Sequence, residues 1–382
     1  MDPRDSEPQV DSRDPRRATW QFFDTYTRDL SGRDFKKLFT LETPQAYRFF
    51  ARGIDEARLA ALPWHIRLWQ RCRDFFVAFT SRLSPARRAL YGIAVLLAVF
   101  GIVRELHAGN GAGWIVWSFL VMNLLVLLEV ADRLSLKHDL EVAREIQMLM
   151  LPHEMVAGGG LEAYGYTRPA NTVGGDFYDV LQMPDGRLLL ALGDVAGKGS
   201  PAALLMALVL AILRTLVDEG APPDAIARRL NLQVARHAPA TRFVTLCIAV
   251  FDPSTGLLEY VNAGQTPPML RRASGGYERL TEGGMALGMF ELATYTAGRT
   301  SLAPGDVLVF YSDGITEAED ARGAPFDESG LQSVIAEHWW EDAAALGQAI
   351  VSAVDAHILE TRLADDLTVL AARRPVPLPT PL

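Results

Sequence analysis

Two apolar stretches, residues 89–103 and 113–131, are separated by a nine-residue segment whose charged residues are Arg104 and Glu105. No other feature narrows the folds open to this chain as far. An α-helix rises about 1.5 Å per residue, and a bilayer core of about 30 Å takes about 20 residues. The second stretch is long enough, with Asn123 and Glu129 as its main polar interruptions. The first needs its flanking residues, with Arg87 and Arg88 snorkelling. The pair predicts a helical hairpin over residues 86–131, either spanning a membrane or buried in a soluble protein. Seven arginines fall between Arg58 and Arg88. The positive-inside rule then puts both chain ends and everything after the hairpin in the cytoplasm, at the inner (cytoplasmic) membrane. Trp114 and Trp117 would sit at the far interface.

The charge distribution agrees with such a division. Residues 1–88 hold 17 Lys/Arg against 12 Asp/Glu, whereas the remainder holds 20 against 34. The net charge of −9 argues against nucleic acid as a partner, because phosphate backbones require clustered Lys and Arg. Residues 1–17 are charged and Pro-bearing, and read as a disordered tail. Residues 18–85 mix aromatic and basic residues between the breakers Pro44 and Pro63, and read as a helical N-terminal region. The charged N-terminus shows no cleavable signal peptide. Cys72 and Cys247 are too few for a disulfide framework or a CxxC metal site.

Residues 132–152 predict a charged amphipathic linker helix. Leu136, Leu140, Ala143, Gln147 and Met150 alternate by four and three, a short and imperfect coiled-coil seam. The segment is either a plain connector or a dimerising signal helix over 132–151. From about residue 161 the pattern changes to short β-rich runs. Strands are predicted at 176–183, 187–195, 243–252, 257–263, 267–272, 306–312 and 366–373, with helices at 201–218, 222–237 and 341–361. Turn signals such as Pro184-Asp185-Gly186 separate them. This grouping implies an α+β or layered sandwich domain over 161–373, followed by a Pro-rich tail at 374–382.

Four Asp-bearing motifs stand in this domain: Gly174-Gly175-Asp176-Phe177-Tyr178-Asp179, Gly193-Asp194-Val195-Ala196-Gly197-Lys198-Gly199, Ser312-Asp313-Gly314 and Asp365-Asp366. Each alone is a common turn or strand end. Placement raises their interest. A three-residue loop at Pro184–Gly186 pairs Met183 with Arg187, which makes Asp176 and Asp194 direct cross-strand partners, about 4.5–5.5 Å apart at Cβ. Two carboxylates held that close destabilise a sheet unless a cation or proton intervenes. Asp313 ends one apolar strand and Asp365-Asp366 begins another, so strand ends meeting at one edge would add these groups. An oxygen-only set selects Mg²⁺ or Mn²⁺, and two such ions can share a water and activate it for attack on a phosphoryl group. A P-loop is excluded at Gly197-Lys198-Gly199, because Gly199 stands where Ser or Thr is required.

Together these motifs resemble the PPM superfamily of metal-dependent Ser/Thr protein phosphatases, in its bacterial sporulation and stress-response branch. The resemblance covers about residues 140–373 and runs in order through AREIQMLMLP, RPANTVGGDFYD, GDVAGKGSPAALLMA, RFVTLCIAVFD, NAGQTPPML, ALGMF, DVLVFYSDGITEA and ADDLTVL. It implies an α-β-β-α sandwich of two antiparallel sheets flanked by helices. It implies two Mn²⁺ or Mg²⁺ ions, with Asp194 bridging, the Val195 carbonyl adding a ligand, Asp176 on one ion, and Asp313 and Asp365 on the other. Asp176, Asp194 and Asp313 would act through a metal-bound water, with Asp179 and Asp366 behind the ligands. The implied substrate is a phosphoserine or phosphothreonine protein, notably an anti-sigma-factor antagonist, and the helix entering the domain would couple a homodimer interface to the metal site. Two departures stand out. Gln265 replaces the His usual in this branch, and Ala196 stands where the animal and plant relatives carry His. A non-enzymatic binding module of the same fold and a small-molecule phosphoester hydrolase are the alternatives.

Overall fold

The computed structural model describes residues 63–376 apart from 82, 153–154, 240 and 360. The tail expected at 1–17, most of the region at 18–85 and the end of the Pro-rich tail at 374–382 lie outside the described residues. The chain divides into two compact units, Met1–Asp132 and Arg133–Leu382.

In the first unit the described residues form α1 (Trp64–Thr80), α2 (Pro85–Ala108) and the start of α3 (Ala112–Leu149). Ser84 caps α2 and Gly109 ends it in the left-handed conformation, as a short reversal requires. The Glu105 carboxylate then accepts from the Gly111 and Ala112 N–H groups at 2.7 and 3.1 Å, satisfying the opening of α3. The two helices pack through small residues. Ser118 Oγ donates to the Ala94 carbonyl at 2.7 Å, Gly101 faces Ile115, and Phe100 meets Trp114 edge-on. At the opposite end Arg87 pairs with Glu129 and Asp132. Small residues and one hydroxyl at a helix–helix contact suit a lipid setting, where apolar burial supplies no driving force.

Among the described residues, three helices are long and apolar enough to cross a membrane: α2, α3 and α4 (Ser200–Asp218). In α2 and α3 only 11% of the apolar window is buried, against 39% in α4. The apolar character of α4 is explained inside the second unit, where Leu205, Met206, Val209, Leu210 and Leu213 line one buried face. It is not buried all round, since Leu204 is 73% exposed.

The second unit is an α-β-β-α sandwich. One sheet orders β1 (Val156–Gly158), β2 (Leu161–Arg168), β12 (Leu367–Arg373), β11 (Val307–Tyr311), β7 (Met269–Arg271) and β8 (Tyr277–Arg279). The other orders β10 (Gly298–Ser301), β6 (Leu257–Ala263), β5 (Val244–Phe251), β4 (Leu188–Val195) and β3 (Phe177–Gln182), with β9 (Gly283–Gly284) beside β6. Helices α4 and α5 (Pro223–His237) cover the second sheet, and α7 (Asp327–His338) and α8 (Ala343–Ile358) cover the first; α6 (Asp313–Thr316) is a single turn. Strand β11 shows why such strands read as unbroken apolar runs. Leu308 and Phe310 point into the inter-sheet core, while Val307, Val309 and Tyr311 pack under α7 and α8. Both faces are covered, so all five residues are buried.

The sequence reading does not include β1, β2, the short strands β8, β9 and β10, or helices α6 and α7. In β2, Gly165 interrupts the run because the Tyr178 ring occupies the space a side chain would need.

Candidate metal centre

The turn Pro184-Asp185-Gly186 sets the register of the first hairpin. The Met183 N–H donates to the Arg187 carbonyl at 2.8 Å, and Phe177 pairs with Gly193 through to Gln182 with Leu188. Two residues further, the Val195 N–H donates to the Gly175 carbonyl at 3.3 Å. Asp176 and Asp194 therefore fall opposite each other, as the turn predicts. Asp176 is 4% exposed, and its Oδ2 is buried with no hydrogen-bond partner among the described residues.

The other sheet supplies the remaining carboxylates. The Ser312 N–H donates to the Thr368 carbonyl and Ser312 Oγ donates to the Asp366 carbonyl, which locks the end of β11 to the start of β12. Asp313 and Asp365 follow from these two ends. Asp366 reaches across to the first hairpin, where it accepts from the Ala170 N–H at 2.8 Å and the Gly175 N–H at 2.7 Å. This crossing requires glycine. A Cβ at Gly174 would lie 2.3 Å from Asp366 Oδ2, and one at Gly175 would lie 2.7 Å from both Asp194 Oδ1 and the Val195 carbonyl oxygen.

The resulting electrostatics are those of crowded like charges. Burial, then the Asp194 charge, raises the Asp176 carboxyl well above the usual range. Asp194 is pushed up to about 7 by burial, then by the charges of Asp313, Asp365 and Asp366. Burial and the Asp365 charge raise Asp313. Among the described residues, however, no group of three His, Cys, Asp or Glu side chains closes to the spacing of metal ligands. Asp365 turns instead to Lys198, whose Nζ lies 3.1 Å from Asp365 Oδ2 and donates to the Ala364 carbonyl at 2.7 Å. The residues nonetheless suit hard divalent cations. Their donors are all oxygen, and one buried carboxylate oxygen has no hydrogen-bond partner among the described residues.

Asp179 does not face this edge. It is buried, accepts from Arg214 Nε at 2.8 Å, and is raised by burial against the opposing pull of Arg214. Arg214 also donates to the Met150 carbonyl at the end of α3, so the pair anchors the entering helix.

Three residues named in the sequence have supporting contacts that their spacing does not show. Gln147, a polar position in the coiled-coil seam that the spacing predicts, is buried against its own domain. Its Nε2 donates to the Gly174 carbonyl at 2.9 Å, and its Oε1 accepts from the Gly174 N–H at 3.2 Å. Ala143 and Met150 lie on that packed side, whereas Val142, Ile146 and Leu149 are exposed. Gln265 accepts from Thr245 Oγ1 at 2.6 Å, and that hydroxyl also lies 3.3 Å from the Asp194 carbonyl. The Gln265 amide thus holds the strand beside Asp194. Lys198 stands within a noticed motif, but its glycines drew the reading toward a turn.

Residues 184–375, half of the chain, match the family described as Stage II sporulation protein E (SpoIIE). The match begins in the hairpin turn, after Asp176 and Asp179. The chain is similar to Protein IcfG of Synechocystis sp., with 28% identity over 280 residues covering 66% of this chain and 44% of that protein. It is similar to the phosphoserine phosphatase RsbU of Bacillus subtilis, with 27% identity over 243 residues covering 63% of this chain and 72% of RsbU. It thus spans less than half of the first relative and about three quarters of the second. Among solved structures, the SiaA-PP2C domain of Pseudomonas aeruginosa has the same fold, with TM-score 0.56, 22% identity, and coverage of 64% of this chain and 98% of that domain.

Proposed function

The chain belongs to the stage II sporulation protein E family, and from that premise we propose that it is a membrane-tethered, metal-dependent protein phosphatase. Its substrate is phosphoserine or phosphothreonine on a cytoplasmic regulator, of the anti-sigma-factor-antagonist kind that the resemblance implies. The observation that carries the reading is the crowding of carboxylates where strand ends of the two sheets converge: Asp194 feels the charges of Asp313, Asp365 and Asp366, and Asp176 opposite it keeps a buried oxygen with no hydrogen-bond partner among the described residues. The names of RsbU and RsbP, both phosphoserine phosphatases of Bacillus subtilis, support the substrate class.

Asp176, Asp194, Asp313, Asp365 and the Val195 carbonyl would hold two Mn²⁺ or Mg²⁺ ions. Divalent cations there supply positive charge for phosphoryl oxygens and lower the pKa of water. The chain's own part is positioning: Asp366 fixes Gly175 against Asp194, and Gln265 fixes Thr245 beside it. Helices α2 and α3 provide the tether, with the arginines before α2 on the cytoplasmic side. Dimerisation through 132–151 uses the stripe Val142, Ile146 and Leu149, which is spaced by four and three and faces solvent.

The full-length chain in detergent tests the activity. Hydrolysis of p-nitrophenyl phosphate is expected with Mn²⁺ and is expected to disappear in EDTA. No turnover at any metal concentration would favour a binding module instead.

Metal affinity should also depend on pH. A carboxyl raised to about 7 keeps its proton at pH 6, so a cation must displace that proton there but not at pH 8. Calorimetric Mn²⁺ affinity is expected to fall by roughly tenfold or more from pH 8 to pH 6. Without metal the sign for stability is opposite. Between about pH 4 and 7 the folded state binds more protons than the unfolded state, so the metal-free protein loses stability as pH rises through that window. An affinity independent of pH would refute the coupling.

A further inference from the structure

The segment between β9 and β10 carries a cluster of apolar side chains in water. Met285, Met289, Phe290 and Leu292 are exposed, Phe290 to 61% and Leu292 to 91%. This is not a loose loop. Asn231 of α5 is 1% exposed and holds it from beneath: Nδ2 donates to the Phe290 carbonyl at 2.9 Å and the Glu291 carbonyl at 3.2 Å, while Oδ1 accepts from the Gly288 N–H at 2.8 Å. Gly288 has φ +88, and a Cβ there would meet Val234 Cγ1 at 2.4 Å, so the loop is seated directly on the helix. Arg236 and Glu291 pair at 2.7 Å beside it. A rigid mount that presents large apolar residues to solvent is a feature of binding surfaces, and methionine suits surfaces that adapt to a partner.

The loop is continuous with the carboxylate edge. Leu287 exchanges both backbone hydrogen bonds with Val244, at 2.8 and 2.9 Å. Val244 pairs in turn with Val195, the residue after Asp194. Phe243, also exposed, accepts through its carbonyl from the Ala196 N–H at 2.9 Å. Leu287, within the apolar segment, therefore stands two strand spacings from the strand that carries Asp194, roughly 10 Å. Two cations lie at the same edge: Arg242, whose guanidinium covers Gly197 and donates to the Ala196 carbonyl, and Lys198 beside Asp365.

We propose that Phe243 and the Met285–Leu292 loop form the docking surface for the phosphoprotein substrate, and that they take apolar side chains three to five residues from its phosphorylated serine. The inference rests on the phosphatase reading. It commits to this occupant because the surface adjoins the reacting site and the neighbouring cations complement a phosphate dianion. Roughly 10 Å corresponds to about three residues of extended chain, which sets the spacing.

The test uses the full-length chain in detergent and two phosphoserine peptides of equal length and charge. One carries Leu and Phe three to five residues on both sides of the phosphoserine, and the other carries Ser and Gln there. The apolar peptide is expected to be hydrolysed with roughly tenfold higher kcat/KM. Phe290→Glu with Met289→Glu should bring the ratio to near one, and Leu292→Glu, at a position too exposed to disturb folding, should lower it. Turnover of p-nitrophenyl phosphate should be unchanged in all of them. A wild-type ratio near one overturns the proposal. So does a ratio that survives in the variants, which would assign the surface to a second copy or to lipid. Absence of p-nitrophenyl phosphate turnover in the wild type would instead remove the phosphatase reading on which the proposal stands.

Discussion

Asp194→Asn is expected to reduce Mn²⁺-dependent hydrolysis of p-nitrophenyl phosphate by roughly 10³-fold, because metal-assisted charge stabilisation is worth several kcal/mol. Asp194 has the most neighbours of its own charge at the site, with Asp313, Asp365 and Asp366 all acting on it. Its replacement should therefore have a second, opposite effect. At pH 8 the wild-type carboxylate is ionised in the metal-free protein and repels its neighbours, so the amide should raise the Tm of the EDTA-treated chain by a few degrees, at roughly 2–4 °C per kcal/mol for a domain of this size. Activity lost with stability gained distinguishes a metal-site residue from a core residue, whose loss lowers both. Asp313→Asn should behave in the same way but more weakly. Glu219→Gln, at a surface pair with Arg229, should change neither. Retention of activity within tenfold, or a fall in metal-free Tm, would take Asp194 out of the proposed role.

What could be read in advance follows the range of the interactions involved. The opposition of Asp176 and Asp194 depends on a local turn and a period of two, and both are written in consecutive residues. The buried strands β4, β5 and β11 were visible as apolar runs because both their faces are covered. The joining of the two sheets was not visible. It depends on Asp366 accepting from Ala170 and Gly175, nearly two hundred residues away in the chain, and no local pattern encodes that distance. Strand β2 was hidden by Gly165, whose reason is a tyrosine on another strand. The position of Gln147 was also misread for a physical reason. A polar residue in a heptad seam and a polar residue that satisfies a buried backbone have the same spacing along the helix, and only the partner tells them apart.

That partner makes Gln147→Leu the second large effect. Gly174 has its N–H and its carbonyl paired to one side-chain amide, and the residues that follow it are Gly175 and Asp176. Leucine of similar size would leave both backbone groups buried without a partner, at about 1–3 kcal/mol each. The loop would be expected to shift in order to reach water, and Asp176 would shift with it. Supporting contacts of this kind typically change metal affinity by about 10–100-fold. The variant should therefore require about 10–100-fold more Mn²⁺ for half-maximal activity, while kcat at saturating Mn²⁺ stays within a few-fold of wild type. Gln147→Glu can accept from Gly174 but cannot donate to it, and should fall between the two. A Mn²⁺ titration that superimposes on wild type would show that the amide only packs the helix. The expected split between metal requirement and kcat would place Gln147 as the mechanical link between α3 and the site, because Val142, Ile146 and Leu149 lie exposed on the same helix within two turns of it. A partner that grips that stripe and turns the helix would strain the Gln147 pair with Gly174 before any carboxylate moves.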